Sequence, residues 1–185
     1  MTATRLLSAP QVRLATPADE ARAWQIVHEA ALDMVRKGRH QWDAHYPARQ
    51  TIHDDICARR GYVIESDGQV VAYAVISFDG EPSYDHLQGT WLTTGPYATI
   101  HRTAVALSHR GLRLSPLFFR KAALLCQAHR AVSIRIDTNY DNAEMLHLVE
   151  KLGFTRCGIC HYERDGHPTP RIAFEKPIAE TAAQE

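Results

Sequence analysis

The most informative part of the sequence is residues 97–116, which read YATIHRTAVALSHRGLRLSP. Its first half, Tyr97 to Leu107, carries β-branched and aromatic residues and predicts a long strand. A basic loop, Arg110 to Ser115, follows it, and a helix is predicted from Pro116 to His129 with Ser115 at the cap. The first turn of a helix has free backbone N–H groups, so this unit predicts an anion site. The alternative is a basic loop that only faces solvent.

The segments on either side of this unit predict further strands and helices. They are strands at 12–15, 62–65, 70–78, 132–136, 154–162 and 171–175, helices ending at Gly38, Arg59 and Gly153, and a loop at 81–94. The last helix is predicted to be capped by Asp141, with Asn142 beside it as a second capping candidate. This order predicts an α/β fold, with a mixed, mostly antiparallel central sheet flanked by helices.

Composition narrows the classes of partner. The 185 residues include 21 Lys plus Arg and 21 Asp plus Glu, so the formal net charge is zero and no global field attracts nucleic acid or anionic lipid. No apolar run approaches the roughly 18 residues of a membrane span, and residues 1–10 do not resemble a signal peptide. We expect a cytoplasmic protein with one domain at 11–178 and flexible ends at 1–10 and 179–185.

The four cysteines contain one motif, Cys157-Gly158-Ile159-Cys160-His161, with the spacing of a c-type haem attachment site. The missing export signal argues against haem. The strand predicted around the motif does so as well, because two cysteines three residues apart on a strand point to opposite faces of the sheet. We expect four unpaired thiols and no metal.

Several spaced motifs resemble the GNAT superfamily of N-acetyltransferases, and the resemblance covers nearly the whole chain. They are Thr103-Ala104-Val105, the loop from Arg110 to Ser115, Asn142, and Lys151-Leu152-Gly153-Phe154. Shorter segments, such as Gln41-Trp42-Asp43, are similar to a bacterial subgroup of poorly defined substrate.

The resemblance implies a cofactor, acetyl-CoA, in a cleft where the central strand and the following parallel strand splay apart. The residues it implies for cofactor binding are Thr103, Ala104, Val105, Arg110, Gly111, Leu112, Arg113, Leu114, Ser115 and Asn142. Two of them depart from the family pattern. Arg113 stands where the family usually has Gly, and Ser115 where it has Gly or Ala.

The catalytic candidates are His101 and Tyr140. His101 lies on the central strand, where the family often has Glu or His, and an imidazole titrates near neutral pH. The alternative is a histidine held by neighbouring hydrogen bonds. Many family members donate a proton to the thiolate from a Tyr seven residues after the Asn, but this chain has Val149 there. Tyr140, His147 or water is left for that role, and the implied oxyanion partner is a main-chain N–H near Ala104 or Val105.

The acceptor pocket is predicted from loop aromatics, because loops deliver binding groups. These residues are Trp42, Tyr46, Tyr84, Trp91 and Tyr97; packing against the sheet edge is the alternative for each. Glu65 and Asp137 are candidates for attracting an ammonium group. We expect acetyl transfer to the primary amine of a small molecule or amino-acid-like acceptor by direct attack in a ternary complex. The alternative is a non-catalytic acyl-CoA-binding regulator. Relatives are often dimers, so a homodimer is possible.

Overall fold

The computed structural model describes residues 8–164 and 167–178. The strands are β1 (Gln11–Leu14), β2 (Gly61–Ser66), β3 (Gln69–Ser77), β4 (Gln88–Gly89), β5 (Tyr97–Val105), β6 (Ser133–Thr138), β7 (Thr155–Arg164) and β8 (His167–Pro177). The helices are α1 (Glu20–Arg36), α2 (Arg49–Cys57), α3 (Ser115–His129) and α4 (Ala143–Lys151). The predicted tail at 179–185, and residues 1–7 of the predicted N-terminal segment, lie outside the described residues.

The strands form one 8-stranded sheet in the order β1-β2-β3-β5-β6-β8-β7-β4. Only β5 and β6 run parallel, since α3 crosses over between them, and every other neighbouring pair is antiparallel. The predicted mixed, mostly antiparallel sheet flanked by helices is confirmed. β4 falls within the segment predicted as loop; it is a two-residue strand that pairs with Gly158 and Ile159 of β7.

Apolar side chains at helical spacing cover both faces of the sheet. On one face, Ile26 and Val27 of α1 are fully buried in one cluster with Tyr73 and Val75 of β3. On the other face, α3 and α4 pack on the central strands, and Val149 of α4 is fully buried there. Each large side chain removed from water in this way stabilises the fold by roughly 1.5–3 kcal/mol.

The sheet opens at its centre. β5 and β6 pair only from Tyr97–Thr99 to Ser133–Arg135, while β5 continues to Val105 and stays paired with β3. Beyond Thr99, the edge of β5 that faces β6 therefore carries no ladder. The expected cleft between two splayed strands lies here.

Of the two capping candidates for α4, the second is confirmed and the first, Asp141, is wrong. The N-cap is Asn142, whose Oδ1 accepts the N–H of Met145 at 3.2 Å. The carboxylate of Asp141 instead accepts the backbone N–H of His40 and an amide N–H of Asn139, because the loop after α1 packs against this turn.

Candidate functional site

A bulge in β5 sets the shape of the cleft. Tyr73 of β3 pairs with Ala104 but Val75 pairs with His101, so Arg102 and Thr103 together lie opposite a single β3 residue. Arg102 has φ +51, a left-handed conformation that costs a non-glycine residue on the order of 1–3 kcal/mol. Such a conformation persists only where other contacts hold it.

Asp55 of α2 supplies those contacts. Its carboxylate is completely buried and accepts Nε and Nη2 of Arg102 at 2.7 and 2.8 Å. It also accepts Nε of Arg60 at 3.0 Å and the hydroxyl of Tyr73 at 3.2 Å. A two-pronged ion pair in a buried setting is strong and directional, so α2 fixes the bulge from behind the sheet.

The larger of two adjoining cavities, about 700 Å³, follows the open edge of β5 to the start of α3. Every predicted cofactor residue lines it except Leu112, which is 62% exposed. Met145 and His147 of α4 contribute to its opposite wall. The strand β5, the loop before α3 and the ends of α4, which the sequence motifs singled out, therefore converge on one groove.

The loop before α3 presents its backbone N–H groups. Gly111 and Arg113 have φ of +80 and +55, and the N–H groups of Gly111, Arg113 and Leu114 have no acceptor among the described residues. The predicted cap by Ser115 is wrong: Ser115 is the first helical residue, and Leu114, which has no side-chain acceptor, precedes it. Successive unpaired amides at a helix N-terminus form an anion-binding concavity.

Charge around this loop differs from the expectation in one respect. Arg110 donates to Asp33 of α1 at 2.5 Å, and Lys37 contacts the same carboxylate at 2.9 Å, which together hold the pKa of Asp33 well below its usual range. Arg110 therefore already has a carboxylate partner within the protein, although it shares Asp33 with Lys37. Arg113, which forms no ion pair within the described part of the chain, is a cation available beside the loop amides.

The smaller cavity, about 310 Å³, adjoins the first one. Of the predicted acceptor residues, Trp42 and Tyr46 line it, together with His101. Thr103, Trp42 and Asn142 line both cavities, so the two spaces meet at the bulge. Tyr140 is 47% exposed and borders neither cavity.

His101 faces a carboxylate that sequence reasoning missed. Its Nε2 lies 3.6 Å from Oε2 of Glu81, in the segment predicted only as loop. Burial lowers the pKa of His101 below its ordinary 6.5, so the imidazole is neutral at neutral pH. Glu81 is itself positioned, because its backbone N–H donates to the hydroxyl of Tyr97 and its Oε1 accepts the N–H of Ser83, both at 3.1 Å.

Asp137 is the second carboxylate in this cavity. Its Oδ1 accepts hydrogen bonds from the hydroxyls of Tyr84 at 2.8 Å and Tyr162 at 2.9 Å. Burial, reinforced by the charge of Asp137, raises the pKa of both tyrosines, so both stay protonated and donate. Its Oδ2 has no partner within residues 8–164 and 167–178, which leaves one carboxylate oxygen for a ligand.

The remaining predicted aromatics support this wall from behind. Tyr84 is buried against Trp91, with ring centroids 5.1 Å apart, and neither lines the cavity. The guanidinium of Arg135 lies over the rings of Trp91 and Tyr97, 4.2 and 4.0 Å from their centroids. Packing therefore accounts for the placement of Tyr84, Trp91 and Tyr97.

Three other candidates from the sequence lie away from the cavities. Glu65 is paired with Arg13 at 2.8 Å at the far edge of the sheet. Cys157 and Cys160 are buried within β7, so no exposed pair of thiols is available for attaching a porphyrin.

Among the described residues, no cluster of three or more His, Cys, Asp or Glu side chains is arranged to hold a metal ion. No helix in that part of the chain is long and apolar enough to cross a bilayer.

Comparison with known proteins places these features in context. The sequence model of the acetyltransferase (GNAT) family matches residues 24–154. A GNAT-family acetyltransferase from Streptococcus agalactiae is 31% identical, with a TM-score of 0.80 over 94% of this chain and 98% of that one. No curated protein sequence matches.

Two more distant structures share the fold. A protein from Salmonella typhimurium solved with its cofactor acetyl-CoA is 18% identical, with a TM-score of 0.67 over 96% of this chain and 99% of that one. The ribosomal-protein-S18-alanine N-acetyltransferase from Escherichia coli is 14% identical, with a TM-score of 0.64 over the same shares of the two chains.

Proposed function

Since the chain belongs to the acetyltransferase (GNAT) family, whose members use acetyl-CoA, we propose that it acetylates the primary amine of a small molecule or amino-acid-like compound. One observation carries this proposal. The groove with free loop amides and the cavity with a neutral histidine meet at the β5 bulge, so a thioester lying in the first would present its carbonyl to an amine bound in the second.

Features of the larger cavity fit acetyl-CoA. The hydroxyl of Thr103 is buried without a hydrogen-bond partner, and it lies where the two cavities join. A buried polar group without a partner is costly, and a ligand amide or carbonyl would satisfy it. The N–H groups of Gly111, Arg113 and Leu114 are placed for the diphosphate, and the unpaired edge of β5 for the pantetheine amides, as an added strand would be.

The acetyl group enters the reaction as an activated thioester, and the protein's residues do the rest. His101 accepts the proton that the amine loses as its nitrogen forms the new bond to the carbonyl carbon, and the carbon–sulfur bond breaks. Glu81 orients the imidazole and stabilises its protonated form. A main-chain N–H near Ala104 or Val105 stabilises the oxyanion. Asp137 holds the incoming ammonium group, which loses one proton to solvent before attack, because only the neutral amine has a lone pair for the new bond; His101 takes the second proton.

The proton for the departing thiolate comes from His147 or water. Val149, at the family's usual acid position, is fully buried in the core, and Tyr140 borders neither cavity. His147 lines the cofactor groove. A thiol is a better leaving group than an amine, so transfer needs little help from an acid at this step.

Replacing the base tests the mechanism. His101→Gln should lower kcat by about 100-fold or more, the contribution of a general base, while the Kd for acetyl-CoA measured by calorimetry stays within twofold of wild type. The matched control is His86→Gln, at an exposed position outside both cavities. A wild-type rate of thiol release in the His101 variant would remove this residue from the mechanism.

The buried Val149 and the unusual Arg113 also favour a second candidate, a protein that binds acyl-CoA without catalysis. A thiol-release assay across a panel of primary amines separates the two. Release above background with any amine supports the enzyme. Tight binding of acetyl-CoA without release for every amine supports the regulator.

A further inference from the structure

The smaller cavity contains a buried cation that forms no ion pair within the described chain. Arg171 of β8 is 7% exposed and lines this cavity. Its Nη2 donates to the backbone carbonyl of Gln41 at 3.3 Å, but its Nη1 has no hydrogen-bond partner. No ion pair within residues 8–164 and 167–178 includes it. Arginines are almost never this buried unless they are paired, because leaving a guanidinium dry and unpaired is expensive.

The other buried arginines show how the same chain ordinarily treats such a group. Arg102 is paired with Asp55 through two hydrogen bonds, and Arg135 donates to Glu175 at 3.0 Å and lies over two aromatic rings. Within the described residues, Arg171 has neither a carboxylate partner nor an aromatic ring beneath it. The difference marks it as a group whose partner comes from outside the chain.

The sheet register places Arg171 beside the acidic part of the cavity. Asp137 of β6 pairs with Ala173 of β8, and Arg171 follows two residues away on the same face. Diagonal neighbours of this kind have Cα atoms about 7 to 8 Å apart. Asp137 and Arg171 nevertheless form no ion pair, so a negative and a positive group line the same small space side by side.

We propose that the acceptor is an α-amino acid, whose carboxylate binds Arg171 while its amino group lies between Asp137 and His101; this inference rests on the proposed function. A zwitterion presents one positive and one negative group a few bonds apart, which matches the two unpaired groups of the cavity. Trp42 and the side chains of Met34 and Met145 provide an apolar wall for the acceptor's side chain. Arg171 is a substrate-binding residue for one substrate class, those amines that carry a carboxylate.

The wild-type protein tests this without any substitution. Two series are compared, L-leucine, L-leucinamide and 3-methylbutylamine, and L-phenylalanine, L-phenylalaninamide and 2-phenylethylamine. The amide has a less basic amino group than the amino acid, and the alkylamine has a more basic one. A preference for the amino acid over both the amide and the alkylamine therefore cannot come from the basicity of the amine. In at least one series, we expect kcat/KM for the amino acid to exceed the values for its amide and its alkylamine by about 10- to 100-fold. This is the size of effect that one charge-assisted hydrogen bond contributes.

Substitution of Arg171 then tests whether this residue causes the preference for the amino acid over its amide. Arg171→Met should reduce the acid-to-amide ratio to about one, and Arg171→Lys should keep part of it, because Lys retains the charge without the two-pronged geometry. The control Arg156→Met removes an exposed arginine outside both cavities and should leave the ratio unchanged. Thermal unfolding of each variant checks that the fold is intact.

The outcomes separate this inference from the proposed function. Acetylation of amides and alkylamines at rates equal to or above those of the acids would overturn the carboxylate site and leave the acetyltransferase intact. If no amine is acetylated, the proposed function fails, and calorimetry with CoA present decides the carboxylate site. Tighter binding of the acid than of the amide, lost in Arg171→Met, supports it, and equal or absent binding overturns it.

Discussion

Replacing Asp55 with Asn would remove the charge that holds the β5 bulge while keeping the side-chain volume. Asp55 is completely buried and accepts hydrogen bonds from Arg102, Arg60 and Tyr73. Arg60 is 36% exposed and can turn to water, whereas the side chain of Arg102 is only 15% exposed and would be left largely dry. Removing one partner of a buried ion pair costs roughly 3–5 kcal/mol. Because Arg102 retains some exposure, we expect the lower end, about 3 kcal/mol.

For a chain of this length each kcal/mol lowers Tm by roughly 2–4 °C, so Asp55→Asn should unfold about 6–12 °C below wild type. Urea unfolding followed by circular dichroism measures the free energy directly. The control Asp54→Asn changes the neighbouring exposed carboxylate, which bonds only Gln50, and should cost less than about 0.5 kcal/mol. The Asp55 variant should also bind acetyl-CoA more weakly, because the bulge shapes the cleft. A loss of less than about 1 kcal/mol, with unchanged affinity, would refute this reasoning.

Substitutions at three further positions have expected outcomes. Protonation of the acceptor amine lowers kcat/KM with falling pH in every variant. Because the lowered pKa of His101 keeps it neutral down to below pH 6.5, wild type should show a further decline of kcat/KM only below that pH, and this further decline should be absent from the His101→Gln profile. Arg113→Ala should weaken acetyl-CoA binding about fivefold at low salt, measured by calorimetry. Arg113→Gly should unfold at a higher temperature than Arg113→Ala, because residue 113 has φ +55 and glycine adopts this left-handed conformation without strain. A salt-independent affinity, or an Ala variant more stable than the Gly variant, would contradict this. Burial would raise the pKa of Glu175, but hydrogen bonds from Ser133, Thr93 and Arg135 outweigh this effect and lower the pKa. Glu175→Gln should therefore reduce the free energy of unfolding at neutral pH by about 3 kcal/mol, measured with urea. This difference should shrink as the pH falls below 4.5 and through the lowered pKa of Glu175 in the folded protein. A loss independent of pH would show that the charge does not matter.

Local signals account for the part of the fold that could be predicted. Helical spacing of apolar residues indicates α1, and the Ser115-Pro116 pair indicates the start of α3. The sequence Ser66-Asp67-Gly68-Gln69 lies between the strands predicted at 62–65 and 70–78 and is typical of the turn that joins β2 and β3. Each signal is encoded within a few neighbouring residues. The cofactor groove could be predicted for a similar reason: its loop and strand are contiguous in sequence. β4 could not, since two residues with no apolar alternation carry no signal and form a strand only because β7 lies beside them.

The acceptor cavity was less predictable because long-range packing builds it. Alternation along β5 puts Thr103 on the face of His101, but the bulge at Arg102 shifts the register, and the partner that stabilises it, Asp55, is 47 residues away. Glu81 looks like any loop acid until the fold brings it to His101. Arg171 stands in a strand where a buried, unpaired guanidinium cannot be told from an exposed one by sequence.

A crystal structure of the protein soaked with acetyl-CoA would test the proposed reaction most directly. The diphosphate should accept hydrogen bonds from the N–H groups of Gly111, Arg113 and Leu114. The thioester carbonyl should lie against the main chain near Ala104 and Val105, with the acetyl group directed toward His101. A diphosphate bound elsewhere, or an acetyl group directed away from the smaller cavity, would contradict direct transfer between the two adjoining spaces.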